Sequence, residues 1–251
     1  MAGSPELLIG RRGRPWRALL PAATAAALGV AAASWMQIID RSAAAVALLC
    51  FLVGAALIGE RWPRAVAPPR SARFGVANGV TLSRVVGTSW AAALASQALL
   101  GDLAGSGQAL LVVIGTVCLI LDGVDGRLAR SRGEASDFGA RFDVETDAAL
   151  LLFLSVAVGE LTPVGWWVLA IAGLRYMYVA ASWVVPALRI PLPYSYSRKV
   201  VAVAQAVALL VVLVLDLVGT PAWLPTAILV AGLACLCWSF GRDIAFQLRH
   251  R

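Results

Sequence analysis

Four carboxylates lie close together in an otherwise apolar chain: Asp122 and Asp125 close one hydrophobic stretch, and Asp143 and Asp147 open the next. On α-helices the first pair stands at i and i+3 and the second at i and i+4, so each pair shares one helix face. Charged groups at the centre of a spanning helix cost roughly 2.5–3.5 kcal/mol each. Four of them therefore need a compensating partner. All-oxygen ligands suit a hard divalent cation such as Mg²⁺ or Mn²⁺, and the stretch has no His and no Cys spacing that would suit zinc. The set is large enough for two ions about 3.5–4 Å apart, an arrangement that can clamp a pyrophosphate between attacking and leaving oxygens.

The residues around the carboxylates fit the same chemistry. Gly126, one turn after Asp122, and Gly139, one turn before Asp143, leave room for a ligand against the helix backbone. Arg130, two turns after Asp122, can direct a planar fork of donors at phosphate or ribose oxygens. Asp122 to Arg130 alone would also read as a charged helix end laced by ion pairs. Gly139, Asp143 and Asp147 make that reading insufficient. Arg175 falls near the middle of an apolar stretch, where an arginine needs a counter-charge or a cavity. Arg189, Arg198 and Lys199 cluster between two later stretches and could hold an acceptor's phosphate, or could simply mark the positive side of a membrane.

The elements that must position these groups are membrane helices. The chain is 60% hydrophobic and only 14% charged over 251 residues, too little polar surface for a water-soluble globule. At about 20 apolar residues per span, candidates run from about Ala18 to Ile39, Ser42 to Gly59, Val80 to Leu100 and Leu110 to Leu121, the last continuing into polar sequence. Four more follow at about Asp147 to Leu161, Val164 to Val185, Val200 to Val218 and Ala222 to Phe240. Placing both termini in the cytoplasm puts the arginine runs at 11–17, 61–73 and 127–141, and the later Arg189, Arg198, Lys199, Arg242, Arg249 and Arg251, on one side. The opposite loops hold Asp40, Asp102, Glu160 and Asp216, with Arg41 as the basic exception. The net charge of +7 thus reads as orientation, not as nucleic-acid binding.

The Pro- and Arg-rich stretch between Glu60 and Arg73 divides the chain into a two-helix hairpin with linker, residues 1–73, and a six-helix unit, residues 74–251. The first span has some features of a cleaved leader, but its apolar run exceeds the usual 7–15 residues and a second span follows at once. Cys50, Cys118, Cys235 and Cys237 lie in apolar stretches without disulfide or zinc spacing, and His250 stands alone in a basic tail. The nine tryptophans read mainly as interface anchors.

In order, the polar residues fit Asp-x2-Asp-Gly-x2-Ala-Arg-x8-Gly-x3-Asp-x3-Asp without a gap, and the chain resembles the CDP-alcohol phosphotransferases over about Phe74 to Phe240. The resemblance implies an all-α integral membrane protein with a six-helix core, a homodimer, and a cytosol-facing cavity for the nucleotide beside a lipid-accessible groove. It implies Asp122, Asp125 and Asp143 as metal ligands, Asp147 as a metal contact and catalytic base, and Gly126, Ala129, Arg130 and Gly139 as the lining of the CDP pocket. Asn78, Thr81 and Arg84 resemble the segment that enters the family's first core helix beside the nucleotide, with Ala77 in place of its usual Pro. A surface-snorkelling role for Arg84 is the plain alternative. Lys199 and Gln205 resemble the start of the fifth core helix in glycerophosphate-type members, whereas Val201 and Ala202 depart from that subgroup's Lys and Thr.

The expected reaction is transfer of a phosphatidyl-type group from CDP-diacylglycerol or a related CDP-alcohol to a polar alcohol, releasing CMP, in a bacterial inner membrane with the site facing the cytoplasm. A phosphorylated polyol is the expected acceptor, with Arg175, Arg198 and Lys199 meeting its phosphate. Two alternatives stand beside it: a diradylglycerol accepting from CDP-choline or CDP-ethanolamine, and a cation transporter, whose carboxylates would lie nearer the bilayer midplane.

Overall fold

Runs of Ala, Leu and Val interrupted only by sparse Gly and Pro give helices throughout. The computed structural model describes residues 40–61, 76–132, 137–190, 192 and 195–250; side chains are described except at residue 55 and residues 57–61, 76–81, 124–132 and 137–142. These residues form α1 (Arg41–Arg61), α2 (Val76–Leu99), α3 (Gly105–Arg132), α4 (Asp137–Leu161), α5 (Leu169–Val184), α6 (Tyr196–Val218) and α7 (Trp223–Arg249). Short 3₁₀ turns at Trp166–Val168 and Pro186–Arg189 flank α5. No strand occurs among the described residues. The expected first span, Ala18 to Ile39, and most of the Pro-rich linker lie outside them.

Local chemistry sets the helix ends. Asp40 caps α1: the Ala43 N–H donates to its Oδ1 at 2.8 Å and the Ser42 hydroxyl at 2.9 Å, and together they hold its carboxyl below the usual range. Gly219 ends α6 in the left-handed region at φ 76°, and its N–H returns to the Asp216 carbonyl at 2.9 Å. Arg189 closes α5, donating to the Ser182 and Trp183 carbonyls at 2.8 and 2.7 Å. Its guanidinium satisfies helix-end acceptors instead of joining the acceptor cations with which it was grouped.

Four of the seven described helices contain stretches long and apolar enough to cross a membrane: Gly105–Gly123, Trp166–Val184 with its leading 3₁₀ turn, Tyr196–Val218 and Trp223–Arg249. Only 17–33% of the residues in their apolar windows are buried, so most of that surface faces outward. Water does not tolerate so much exposed hydrocarbon, whereas lipid does. Val184, Trp183, Val218 and Trp223 contribute to this outer face.

The two site-bearing helices that miss the criterion differ for physical reasons. α2 packs against α1, α3 and α4, and its Ala91, Ala92, Ala93, Leu94, Ala95 and Ala98 are almost wholly enclosed. It meets protein where the others meet lipid, and needs small side chains more than apolar ones. α4 begins at Asp137, ten residues before the apolar stretch, so its first turns carry the site's acids. Both α2 and α6 pack against α3 and α4, holding those two helices from opposite sides around Leu94, Leu111, Leu154, Leu209 and Leu213.

Candidate active site

The α2–α3 contact is set by Gly87, where an added Cβ would collide with Cys118 Sγ. Arg84 stands one turn before Gly87, and Asp122 one turn after Cys118. This close approach therefore brings the arginine to the carboxylate. We expect Gly87→Ala to destabilise the protein by about 1–3 kcal/mol through overpacking and to lower its activity. Cys118→Ala in the same chain should restore both, read as thermal midpoint and turnover in a double-mutant cycle.

Asp122 on α3 and Asp143 and Asp147 on α4 converge so that one carboxylate oxygen from each lies within 4.8 Å of the others. Arg84 reaches into this group from α2. Its guanidinium is ion-paired with Asp143 and Asp147, and Nη1 stands 3.3 Å from Asp122 Oδ1. Arg84 is 1% exposed, the largest fully buried side chain among the described residues, and is not a snorkelling residue. The exposure of the carboxylate side chains rises from 14% at Asp122 through 33% at Asp143 to 43% at Asp147. Asp147 is therefore the member of the group most open to a ligand.

Three converging carboxylates fit a hard divalent cation, since each offers an anionic oxygen and the group carries more negative charge than one arginine neutralises. The backbone of α3 is helical through Asp125, Gly126, Ala129 and Arg130, and that of α4 through Gly139, as the i, i+3 and i+4 reading requires. The side chains of those residues, and of Asn78 and Thr81 on α2, lie outside the described set.

The carboxylates open into a cavity of about 630 Å³ between five helices. α3 contributes Asp122, α4 contributes Asp143 and Asp147, α5 contributes Arg175 and Tyr178, α6 contributes Arg198 and Lys199, and α7 contributes Asp243. The expected acceptor cations and the acidic group thus share one chamber. Arg175 has the counter-charge that its position demanded, with Nη2 2.6 Å from Glu145 Oε1. Gln205 lines the same cavity and donates to the Gly232 carbonyl at 2.8 Å, tying α6 to α7. Val201 and Ala202 also face it, so the departure from the glycerophosphate-type Lys and Thr falls on the cavity wall.

Sequence reasoning missed the contribution of α7. Gln247 is buried and donates to the Leu188 and Ile190 carbonyls at 3.1 and 2.7 Å while accepting from the Tyr178 hydroxyl at 2.8 Å. It thereby fastens the α5–α6 connection and one cavity wall. No motif marks it, and the neighbouring Arg242, Asp243 and Arg249 make it look like one more polar residue at a helix end.

A profile of the CDP-alcohol phosphatidyltransferase family matches residues 74–238, about two thirds of the chain. Neither the curated proteins nor the solved structures compared with the chain contain a significant match.

Proposed function

We propose that this chain, which belongs to the CDP-alcohol phosphatidyltransferase family, moves the phosphatidyl group of CDP-diacylglycerol to the hydroxyl of a phosphorylated polyol such as glycerol 3-phosphate or an inositol phosphate. Family membership makes the protein a transferase for substituted phosphate groups in phospholipid biosynthesis, with a CDP-alcohol donor and an alcohol acceptor. Together with the four apolar helices it makes the chain an integral membrane protein. The finer reading rests on one observation: the cavity that holds the three carboxylates is also lined by Arg175, Arg198 and Lys199. Glu145 and Asp243 offset part of that positive charge, and a phosphorylated acceptor would meet the rest. It would otherwise be repelled by the acids.

In this reading the cations of α5 and α6 hold the acceptor's phosphate and turn its hydroxyl towards Asp147. Asp147 accepts the hydroxyl proton as the oxygen bonds to the phosphorus bearing the diacylglycerol. The bond from that phosphorus to the bridging oxygen breaks, and CMP leaves with the bond's electron pair. Asp122, Asp143 and Asp147, with Asp125, would hold the divalent metal that the family uses, Mg²⁺ or Mn²⁺. When bound, it supplies neutralisation of the pyrophosphate charge. Gly126, Ala129, Arg130, Gly139, Asn78 and Thr81 complete the proposed nucleotide pocket.

The same reading includes eight spans, cytoplasmic termini, a site opening to the cytoplasm of a bacterial inner membrane, a homodimer, and an accessory hairpin in residues 1–73. The orientation in this reading is supported by the ends of the described helices. Asp40, Asp102, Glu160 and Asp216 fall at one set of ends, and Arg189, Arg198, Lys199 and Arg242 at the other.

Labelled CDP-diacylglycerol offered with a panel of alcohols tests the assignment through CMP release and lipid product. Lys199→Gln is expected to raise the acceptor KM by roughly tenfold, the value of a lost charge-assisted hydrogen bond. Arg175→Gln should do so less, because Glu145 already engages that guanidinium. The donor KM should change little in both. A wild-type preference for serine or free inositol would refute the phosphorylated acceptor.

A further inference from the structure

Ser195 stands at the N-cap of α6 in extended backbone, the position from which a serine hydroxyl ordinarily accepts a bond from the helix's first turn. Its side chain caps nothing. The hydroxyl lies instead 2.8 Å from that of Ser197, and one guanidinium from α7 engages both. Arg242 Nη1 donates to Ser197 Oγ at 2.9 Å and Nη2 to Ser195 Oγ at 3.2 Å. The arginine is itself held in place: its guanidinium lies over the Trp238 ring, 5.2 Å from the centroid, and the adjacent Asp243 accepts from Nη2 at 3.5 Å.

The first turn of α6, residues 196–199, has little local support. It contains Arg198 and Lys199, and the positive end of a helix dipole disfavours cations. The serine that would cap it is turned away. Order comes from α7, which grips the α5–α6 connection at both ends: Gln247 donates to the Leu188 and Ile190 carbonyls at one, and Arg242 to Ser195 and Ser197 at the other. Arg198 and Lys199, the next residues after Ser197, line the cavity, whereas Arg242 is not among its lining groups. An arginine that only marked the positive side of a membrane would turn its donors to water; this one directs them at two hydroxyls of another helix. It lies beyond residue 238, outside the stretch matched by the family profile. We propose that Arg242 is a positioning residue for the acceptor, stapling the first turn of α6 to α7 and so setting where Arg198 and Lys199 enter the cavity. The inference rests on the phosphorylated-acceptor reading and adds what places the cations on which it depends.

The test uses the full-length protein in lipid nanodiscs, with CDP-diacylglycerol as donor and glycerol 3-phosphate as acceptor. Arg242→Gln is expected to raise the acceptor KM by roughly tenfold, the value of a lost charge-assisted hydrogen bond. The donor KM, and kcat at saturating acceptor, should stay within about twofold of the wild type. Ser195→Ala combined with Ser197→Ala keeps the arginine's charge and removes what it holds; the acceptor KM should rise alike, and adding Arg242→Gln should raise it little further. Arg242→Lys, a point charge in place of a fork, should fall between the wild type and Arg242→Gln. Backbone amides of residues 195–199 should exchange hydrogen faster in Arg242→Gln, with the rest of α6 unchanged. A level acceptor KM in Arg242→Gln overturns the proposal, and so does unchanged exchange at residues 195–199. Full rescue by Arg242→Lys with no effect of the serine substitutions also overturns it, since charge alone would then be at work. A rise in both KM values with a fall in kcat would mean a general loss of structure and overturns it too. Lys199→Gln separates this inference from the reading beneath it. If Lys199→Gln raises the acceptor KM and Arg242→Gln does not, this inference alone falls. If Lys199→Gln leaves the acceptor KM unchanged, or the wild type does not turn over glycerol 3-phosphate, the phosphorylated-acceptor reading falls with it.

Discussion

Asp143→Asn is expected to reduce CMP release by roughly a thousandfold or more, a loss of the size seen when a preorganised electrostatic element is removed from a polar transfer reaction. Asp143 shares Arg84 with Asp147 and converges with Asp122, so its charge belongs to the group's collective field. The neutral amide keeps the shape and removes one of the oxygens suited to a hard cation. The fold should survive, because Arg84 retains Asp122 and Asp147 as counter-charges. Asp122→Asn should behave alike. Asp147→Asn should retain nucleotide binding while blocking transfer, since the proton acceptor acts only after the donor is held. Activity of the wild type should vanish on chelation of divalent cations and return on their addition. Turnover and nucleotide affinity measured side by side separate these roles. Near-normal CMP release by Asp143→Asn would remove that residue from the chemistry, and equal loss of nucleotide affinity in Asp147→Asn and Asp122→Asn would make Asp147 a ligand only.

The acidic half of the site was legible because its spacing is local. Asp143 and Asp147 sit one helical turn apart, and a single motif carries Asp122 with them. Arg84 is 38 positions before Asp122, and its place at the centre of the carboxylates depends on how closely α2 can approach α3 at Gly87 and Cys118. Such an approach is a tertiary fact that a pattern of residue types does not encode. Helix boundaries show a related effect. Hydropathy starts the fourth described helix at about Asp147, whereas the backbone is helical from Asp137. The apolar pattern reports contact with lipid, while the helix itself needs only backbone hydrogen bonds. Arg189 and Arg198 looked equivalent as cations at one membrane face, but backbone carbonyls claim the first and the cavity the second. Asp243 was visible only as a charge near a helix end, since nothing in its neighbours indicates that α7 turns it towards α6.

Arg84→Gln is expected to lower the protein's stability by about 2–4 kcal/mol, the cost of removing a buried cation from carboxylates that keep part of their access to solvent. For a chain of this length that is a fall of roughly 10 °C in thermal midpoint. The size follows from enclosure: Arg84 is 1% exposed and meets three carboxylates at once. Without it, Asp122, Asp143 and Asp147 repel one another across less than 4.8 Å, with solvent reaching Asp143 and Asp147 relieving only part of the repulsion. A divalent ion would be an alternative counter-charge for the same group. Ligand that binds only the folded form stabilises by about 2.7 kcal/mol at a hundredfold excess over Kd. Added Mg²⁺ or Mn²⁺ should therefore raise the thermal midpoint of Arg84→Gln more than that of the wild type, and Arg84→Lys, which keeps a point charge but not the fork, should fall between them. The measurement is unfolding in detergent micelles across a cation titration, with no substrate present. A variant as stable as the wild type at every cation concentration would mean that the carboxylates do not depend on Arg84. A variant destabilised but indifferent to cations would mean that the triad does not take the ion.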